Sequence, residues 1–143
     1  METLSPYIWA IIIAWTSAHI VKYIIAIARG NQKKFTSQVL ISGGMPSSHV
    51  ATVMALWVVI LLIDGPNTAI FGLATLFALV VGHDAVRVRR SSGEQGEALL
   101  QVLKETKSKA AIPYIAKGHT LAEIAVGALF GSAIGIVVYL VTT

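Results

Sequence analysis

The tetrad Pro-Ser-Ser-His at 46–49 is the clearest chemical signal in this sequence. It follows two glycines and opens a long apolar stretch, so that His49 lies at the mouth of a hydrophobic helix. Glycines let the backbone approach a ligand closely, and Ser47, Ser48 and the amides that follow can donate hydrogen bonds at the positive end of the helix dipole. This arrangement suits the binding of an anion of about the size of phosphate.

A second histidine, His119, precedes Glu123 by four residues, at the start of the last apolar run. Four residues is about one helical turn, so both side chains share a face and the carboxylate can hold the imidazole in one tautomer. Two histidines, one of them oriented by a carboxylate, suit phosphoryl transfer through a phosphohistidine. One imidazole would attack phosphorus and the other would protonate the leaving oxygen.

The composition indicates that a membrane holds these residues. Of the 143 residues, 55% are hydrophobic and 13% are charged, and the mean hydropathy is +0.74. A soluble domain carries about a quarter charged residues. The absence of cysteine excludes disulfides, thiolate nucleophiles and thiolate metal sites. We expect no nucleic-acid partner.

Four apolar runs can cross a bilayer core of about 30 Å, which takes about 20 helical residues. They cover about 4–28, 46–63, 67–82 and 121–141. The segment 83–118 is polar by comparison and contains an amphipathic stretch that predicts a helix on the membrane surface. The sequence therefore predicts an all-α, polytopic membrane bundle, a single domain over 1–143 with about four transmembrane helices and one peripheral cytoplasmic helix.

Ten of the eleven Lys and Arg residues follow the first or the third apolar run. By the positive-inside rule these two segments face the cytoplasm, together with the candidate site, and both termini face the opposite side. A bacterial inner membrane fits best. Lys22, the eleventh cation, is interpreted as a side chain that snorkels to the headgroups, and His19 as a packing or interfacial residue.

Three segments together resemble the type-2 phosphatidic acid phosphatase superfamily, and most closely its small, divergent membrane branch. These segments are PSSH with its apolar helix, the stretch HDAVRVRRSSGEQ at 83–95, and HTLAE with glycines after it. The superfamily includes bacterial lipid phosphatases and vanadium-dependent haloperoxidases. The resemblance implies a phosphorylated lipid as partner and a membrane phosphatase that hydrolyses its phosphomonoester or diphosphate headgroup through a phosphohistidine.

The same resemblance implies roles for the residues that match. His119 would be the nucleophile, Glu123 its orienting partner in place of the usual aspartate, and His49 the general acid. Ser47 and Ser48 would bind the phosphate.

Other cations of the superfamily are missing, because this chain has no Arg-Pro pair and has Pro113 and Tyr114 where a Ser-Arg pair is usual. We expect substitutes on either side of the second and third apolar runs, with Asp84 positioning one arginine, Arg87 or Arg90, by helical spacing. The candidate cations are Lys33 or Lys34, Arg87, Arg89 and Arg90.

No metal is required if these cations stabilise the phosphoryl oxygens, and a divalent ion near Asp84 and Glu94 is the remaining cofactor candidate. Two other functions stay open: a protein that binds or moves a phosphorylated lipid without cleaving it, and a structural membrane module. Glycines at a spacing of four predict close helix packing, within a subunit or in a homo-oligomer through the fourth run. They are Gly127, Gly131 and Gly135.

Overall fold

The computed structural model describes residues 4–30, 44–108, 110–111 and 118–143, and these residues form helices without any strand. Within these ranges five α-helices follow one another, with a short π-helix at Asp84–Val88 between the third and the fourth. They are α1 (Pro6–Ala28), α2 (Ser48–Asp64), α3 (Ala69–His83), α4 (Arg89–Glu105) and α5 (Leu121–Thr142). The predicted all-α membrane bundle is confirmed.

In the part of the chain that the structure describes, three helical stretches are long and apolar enough to cross a membrane: Pro6–Ala28, Ala69–Glu105 and Leu121–Thr142. The fourth apolar helix, α2, has 17 residues. At 1.5 Å per residue it is about 25 Å long, a few ångströms short of a typical bilayer core. Large apolar side chains on the outer faces are exposed, as expected for surfaces that meet lipid.

The helix predicted on the membrane surface continues directly from the third span. The π-helix joins α3 to α4, so Ala69–Glu105 is one helical stretch of 37 residues. No proline interrupts this stretch, and prolines are the residues that most often end a helix. The third span therefore extends into the polar region.

Helix α2 is the centre of the bundle, because it packs against α1, α3 and α5. Two of these neighbours, α1 and α5, carry small buried residues at a spacing of four. On α1 these are the fully buried Ala10, Ala14 and Ala18, and on α5 they are the buried glycines Gly127, Gly131 and Gly135. Small residues let helix backbones approach closely, which is how helices associate inside a membrane.

The glycine face of α5 has no room for side chains. A β-carbon at Gly131 would collide with the carbonyl oxygen of Ala51, and one at Gly135 would lie 2.6 Å from the carbonyl oxygen of Ala55. The sequence left open whether these glycines pack within a subunit or between subunits. The structure uses them within the subunit, so a homo-oligomer, which stays a prediction, would need another surface.

At one end of the bundle Tyr7, near the start of α1, donates a hydrogen bond of 2.8 Å to Asp64 at the end of α2. These helices are therefore antiparallel neighbours. It follows that the end of α1, the start of α2, the end of α3 and the start of α5 meet at the opposite end, where both sequence motifs lie.

Candidate active site

The imidazole of His119 is held by Glu123. The distance between His119 Nδ1 and Glu123 Oε2 is 3.2 Å, and His119 is only 4% exposed. Because an ionised carboxylate can only accept, Nδ1 carries the proton and Nε2 keeps its lone pair. The predicted contact between His119 and Glu123 is present in the structure, and it leaves the lone pair of Nε2 available.

Glu123 also has a structural task. It forms a capping box with Thr120, in which the Thr120 amide donates to Glu123 Oε2 at 2.9 Å and the Glu123 amide donates to Thr120 Oγ1 at 3.3 Å. A capping box satisfies two backbone donors that a helix start otherwise leaves unpaired. The same carboxylate therefore starts α5 and orients His119, and the Thr-x-x-Glu spacing was a readable signal for the first task.

Burial lowers the pKa of His119 below its ordinary value of 6.5, and the hydrogen bond and charge of Glu123 act in the opposite direction. The lowered pKa means that the imidazole is neutral near pH 7. A neutral imidazole with a free Nε2 can act as a nucleophile.

The backbone before α5 rests on the π-helix. The amide of His119 donates to the carbonyl of Ala85 at 3.2 Å, and Ala85 is buried in the π-helical turn. A β-carbon on Gly118 would lie 2.5 Å from the backbone nitrogen of Arg90, so a side chain there would push the two segments apart. The close approach at Gly118 and the π turn together place His119.

The tetrad is joined to the same place through the main chain. The amide of Ser47 donates to the carbonyl of Glu123 at 3.3 Å, and Gly127 lies directly against the backbone of Ser47. Ser47 and Ser48 are both buried. The structure therefore brings the two predicted motifs together, with the serines beneath the surface.

The hydroxyl of Ser47 is buried without a hydrogen-bond partner in the part of the chain that the structure describes. A buried polar group without a partner costs about 1–3 kcal/mol, so such groups call for a functional or solvent partner. An oxygen atom of a bound anion would satisfy this donor. Ser47 is fully covered by protein, so an anion would have to penetrate beneath the surface to reach this hydroxyl.

His49 lies in the first turn of α2 and, unlike the serines, is exposed. It is close enough to His119 for the two imidazoles to interact electrostatically. Of the two predicted catalytic histidines, His119 is therefore buried and His49 is exposed. The exposed imidazole can exchange its proton with solvent, as a general acid must between turnovers.

The three candidate arginines have different surroundings. Arg89 pairs with Asp84 at 2.8 Å, with the two side chains 34% and 38% exposed, and its charge acts on both His49 and His119. Arg90 points to a more exposed partner, Glu94, at 3.1 Å, and Arg87 is exposed. Arg89 is therefore the arginine that belongs to the site.

The predicted pairing of Asp84 with Arg87 or Arg90 is wrong. That prediction assumed α-helical spacing, in which residues three or four apart share a face. In the π-helix at Asp84–Val88 each turn contains more residues, so the partner is five residues away, at Arg89.

The candidate metal ligands do not gather. Asp84 and Glu94 each pair with a different arginine, and no group of three His, Cys, Asp or Glu residues forms a metal site among residues 4–30, 44–108, 110–111 and 118–143. Lys33 and Lys34 lie outside the described residues. Their predicted contact with phosphate stays a prediction.

Two residues of α1 also reach the site, and the sequence interpretation had assigned them other roles. Lys22 is half-buried, and its charge acts on Glu123, His49 and His119. His19 is buried, donates from Nδ1 to the carbonyl of Trp15 at 2.8 Å, and is near enough to His49 to affect it electrostatically. Ionisable residues within an apolar span are costly and usually functional, and this was the available signal.

Known proteins share sequence similarity with this chain over the segments that contain these motifs. The model of the divergent PAP2 family matches residues 4–134, which is nearly the whole chain. A curated relative is the "Uncharacterized membrane protein YuiD" of Bacillus subtilis (strain 168), which is 41% identical over 63 residues. This alignment covers 44% of the present chain and 40% of the relative. No solved structure matches.

The family match covers all three segments that carry the resemblance, and the relative is described as a membrane protein. Together with three helices long and apolar enough to cross a bilayer, these findings identify an integral membrane protein. The chain belongs to the divergent PAP2 family.

Proposed function

We propose that this protein is a membrane lipid phosphatase that removes a phosphomonoester or diphosphate headgroup through a phosphohistidine on His119. The observation that carries the proposal is the His119–Glu123 pair, which leaves Nε2 free, with His49 beside it at the same end of the bundle. The divergent PAP2 family supports phosphatase-related chemistry.

In the first step, Nε2 of His119 attacks the terminal phosphorus atom in line with its bond to the leaving oxygen, which belongs to the lipid hydroxyl in a phosphomonoester and to the inner phosphate in a diphosphate. The new N–P bond forms as this P–O bond breaks, and protonated His49 transfers its proton to the departing oxygen. The exposed position of His49 allows a leaving group to approach it from the lipid or the headgroup layer.

In the second step a water molecule attacks the phosphohistidine. His49, now neutral, accepts a proton from this water, the N–P bond breaks, and inorganic phosphate leaves with both histidines restored. Glu123 acts throughout by holding the Nδ1 proton of His119, and it does not touch the substrate.

Cations must stabilise the charge that develops on the phosphoryl oxygens. Arg89 is suited to this task, because Asp84 holds its Nε and its charge already reaches both histidines. Ser47 and Ser48 lie at the start of α2, where backbone amides favour an anion, although their buried side chains require the phosphate to penetrate beneath the surface. None of these steps is routed through a metal.

The location of the site supports a lipid substrate. The site lies at the end of the bundle where the third span continues into the polar helix α4, so a headgroup can enter while its acyl or prenyl tails stay in the bilayer. From the distribution of Lys and Arg we infer that this end faces the cytoplasm, with both termini on the opposite side, and that the membrane is a bacterial inner membrane.

The deciding experiment measures phosphate release by purified protein in detergent micelles from phosphatidate, phosphatidylglycerophosphate and a polyprenyl diphosphate, with and without EDTA. We expect release from at least one lipid in EDTA. His119→Ala should lower it by at least about 10³-fold and His49→Ala by about 10²- to 10⁴-fold. His83→Ala, an exposed histidine at the same end of the bundle, is the matched control and should stay active.

Two results would contradict the proposal. Equal activity of wild type and His119→Ala would exclude His119 as nucleophile, and loss of release on chelation would require a metal in the reaction. If neither protein releases phosphate from any lipid and both bind the lipid equally, the protein is a binding or transport protein for phosphorylated lipids.

A further inference from the structure

We propose that Lys22, in the first transmembrane helix, is a second phosphate-binding cation of this site and acts opposite Arg89. The proposal rests on the proposed function, because it names the group that would hold the substrate phosphate. It also brings α1 into the active site, whereas the sequence motifs lie on the later helices.

The position of Lys22 is defined by the loop that carries the tetrad. Its Cε lies 3.6 Å from the place where a β-carbon on Gly44 would be, and Gly44 has a positive φ of 87°. Gly44 precedes the tetrad by two residues. The ammonium group of Lys22 therefore lies beside the loop that leads into the start of α2, instead of extending along the membrane surface.

The charges around Lys22 favour an anion. It acts electrostatically on both histidines and on Glu123. Glu123 already accepts hydrogen bonds from His119 and Thr120, and Asp84 is paired with Arg89. In the part of the chain that the structure describes, no carboxylate lies within ion-pair distance of Lys22. Lys22 and Arg89 equal Glu123 and Asp84 in number, but both carboxylates are already engaged by other partners, so the ammonium group of Lys22 can donate to an oxygen of a bound phosphate.

The surroundings explain why this cation is half-buried within an apolar helix. A lysine that only snorkels to the headgroups extends its ammonium group away from the protein into water. Lys22 instead packs beside the loop that carries the tetrad. Lysine offers three donors and a compact charge, while arginine offers a planar fork. Lys22 from α1 and Arg89 from the start of α4 can therefore contact different oxygens of one phosphate.

The test compares Lys22→Met, which keeps the aliphatic stem and removes the charge, with Lys22→Arg, which keeps the charge. Arg29→Met is the matched control, because Arg29 is an exposed cation just after α1 at the same end of the bundle. Two quantities are measured for each full-length protein in detergent: the KM and kcat for the lipid that wild type hydrolyses, and the Kd of inorganic orthovanadate or phosphate by calorimetry.

We expect Lys22→Met to weaken binding of the inorganic anion by about 10- to 100-fold, which is the effect of one lost hydrogen bond between charged groups. Lys22→Arg should recover most of this loss, and Arg29→Met should bind like wild type. With lipid substrate, Lys22→Met should raise KM, lower kcat, or both. Thermal unfolding of each variant identifies any change that arises from misfolding, and Lys22→Arg gives an independent comparison if Lys22→Met is unstable.

The outcomes separate this proposal from the proposed function. If wild type hydrolyses lipid and Lys22→Met does so with unchanged KM, kcat and anion affinity, the role of Lys22 is overturned and the phosphatase stands. If wild type releases no phosphate but binds the anion, and Lys22→Met loses this binding, Lys22 is an anion ligand in a protein that is not a phosphatase. If wild type neither hydrolyses lipid nor binds the anion, both proposals fail.

A change in lipid kinetics without a change in affinity for the inorganic anion would overturn the phosphate contact and assign Lys22 to another part of the lipid headgroup.

Discussion

Asp84 Oδ2 and Arg89 Nε are 2.8 Å apart, although the two residues are separated by five positions within a helix. In an α-helix this separation places side chains on different faces, and the π-helix between them brings them together. π turns of this kind are frequent at functional sites. Here the turn directs Arg89 toward the histidines and offers the carbonyl of Ala85 to the amide of His119.

Releasing Arg89 from Asp84 should weaken substrate binding. For Asp84→Asn we expect kcat/KM to fall by up to about fivefold, because an ion pair that is about one-third exposed contributes at most about 1 kcal/mol. Steady-state kinetics with the lipid substrate measures this change. Glu97→Gln, which removes an exposed carboxylate from α4, should have no effect. If Asp84→Asn has the same kcat/KM as Glu97→Gln and wild type, Asp84 does not position Arg89 for the reaction.

The pH dependence of kcat/KM should move in opposite directions in two variants. Burial lowers the pKa of His119 and Glu123 partly restores it, so Glu123→Gln should lower this pKa further and shift the acid limb to lower pH. The charge of Arg89 lowers the same pKa, so Arg89→Gln should shift the limb to higher pH. Profiles between about pH 4 and 8 would reveal both shifts, with wild type losing activity below 6.5 as His119 is protonated. Shifts in one common direction would mean that the limb belongs to another group.

A methyl group at Gly118 should lower kcat. The β-carbon of Gly118→Ala would meet the backbone of Arg90 and displace the adjacent His119. A displacement of about 1 Å can cost about 100-fold in rate, so we expect a fall in kcat of about 10- to 100-fold. Gly82→Ala is the control, since its β-carbon meets nothing within 4 Å. Wild-type kcat in Gly118→Ala would show that the contact between these segments does not place the nucleophile.

The glycine face of α5 should be sensitive to the smallest possible side chain. Gly131→Ala places a β-carbon against the carbonyl of Ala51, and overpacking of this kind costs about 1–3 kcal/mol. Gly72→Ala, on α3, meets nothing within 4 Å and should be neutral or slightly stabilising. Thermal unfolding in detergent compares the two. Similar unfolding temperatures would contradict the close packing of α5 on α2.

Much of the fold could be predicted because long apolar runs in a sequence indicate transmembrane helices. The same topology predicted that His49 and His119 would lie at one end of the bundle, and the spacing of His119 and Glu123 predicted their contact, which the structure contains. These inferences needed only a helical period and a count of charges.

Other features could not be predicted from the sequence. Nothing in the sequence at 84–88 distinguishes a π-helix from an α-helix, so the partner of Asp84 was assigned to the wrong arginine. Helix α1 is apolar on nearly every side, so no pattern showed which way Lys22 faces. The spacing of the glycines of α5 predicted close helix packing but not the surface against which they pack, because α2 and a second subunit would offer the same kind of surface.

The continuous helical stretch from Ala69 to Glu105 links the membrane-spanning part of the bundle to its polar part. With 37 residues it is about 55 Å long, and a bilayer core accommodates about 30 Å of it. The remainder extends beyond the core, and its inner end carries Ala85 and Arg89. Because the amide of His119 bonds to the carbonyl of Ala85, the backbone of this histidine is attached directly to the inner end of the polar segment.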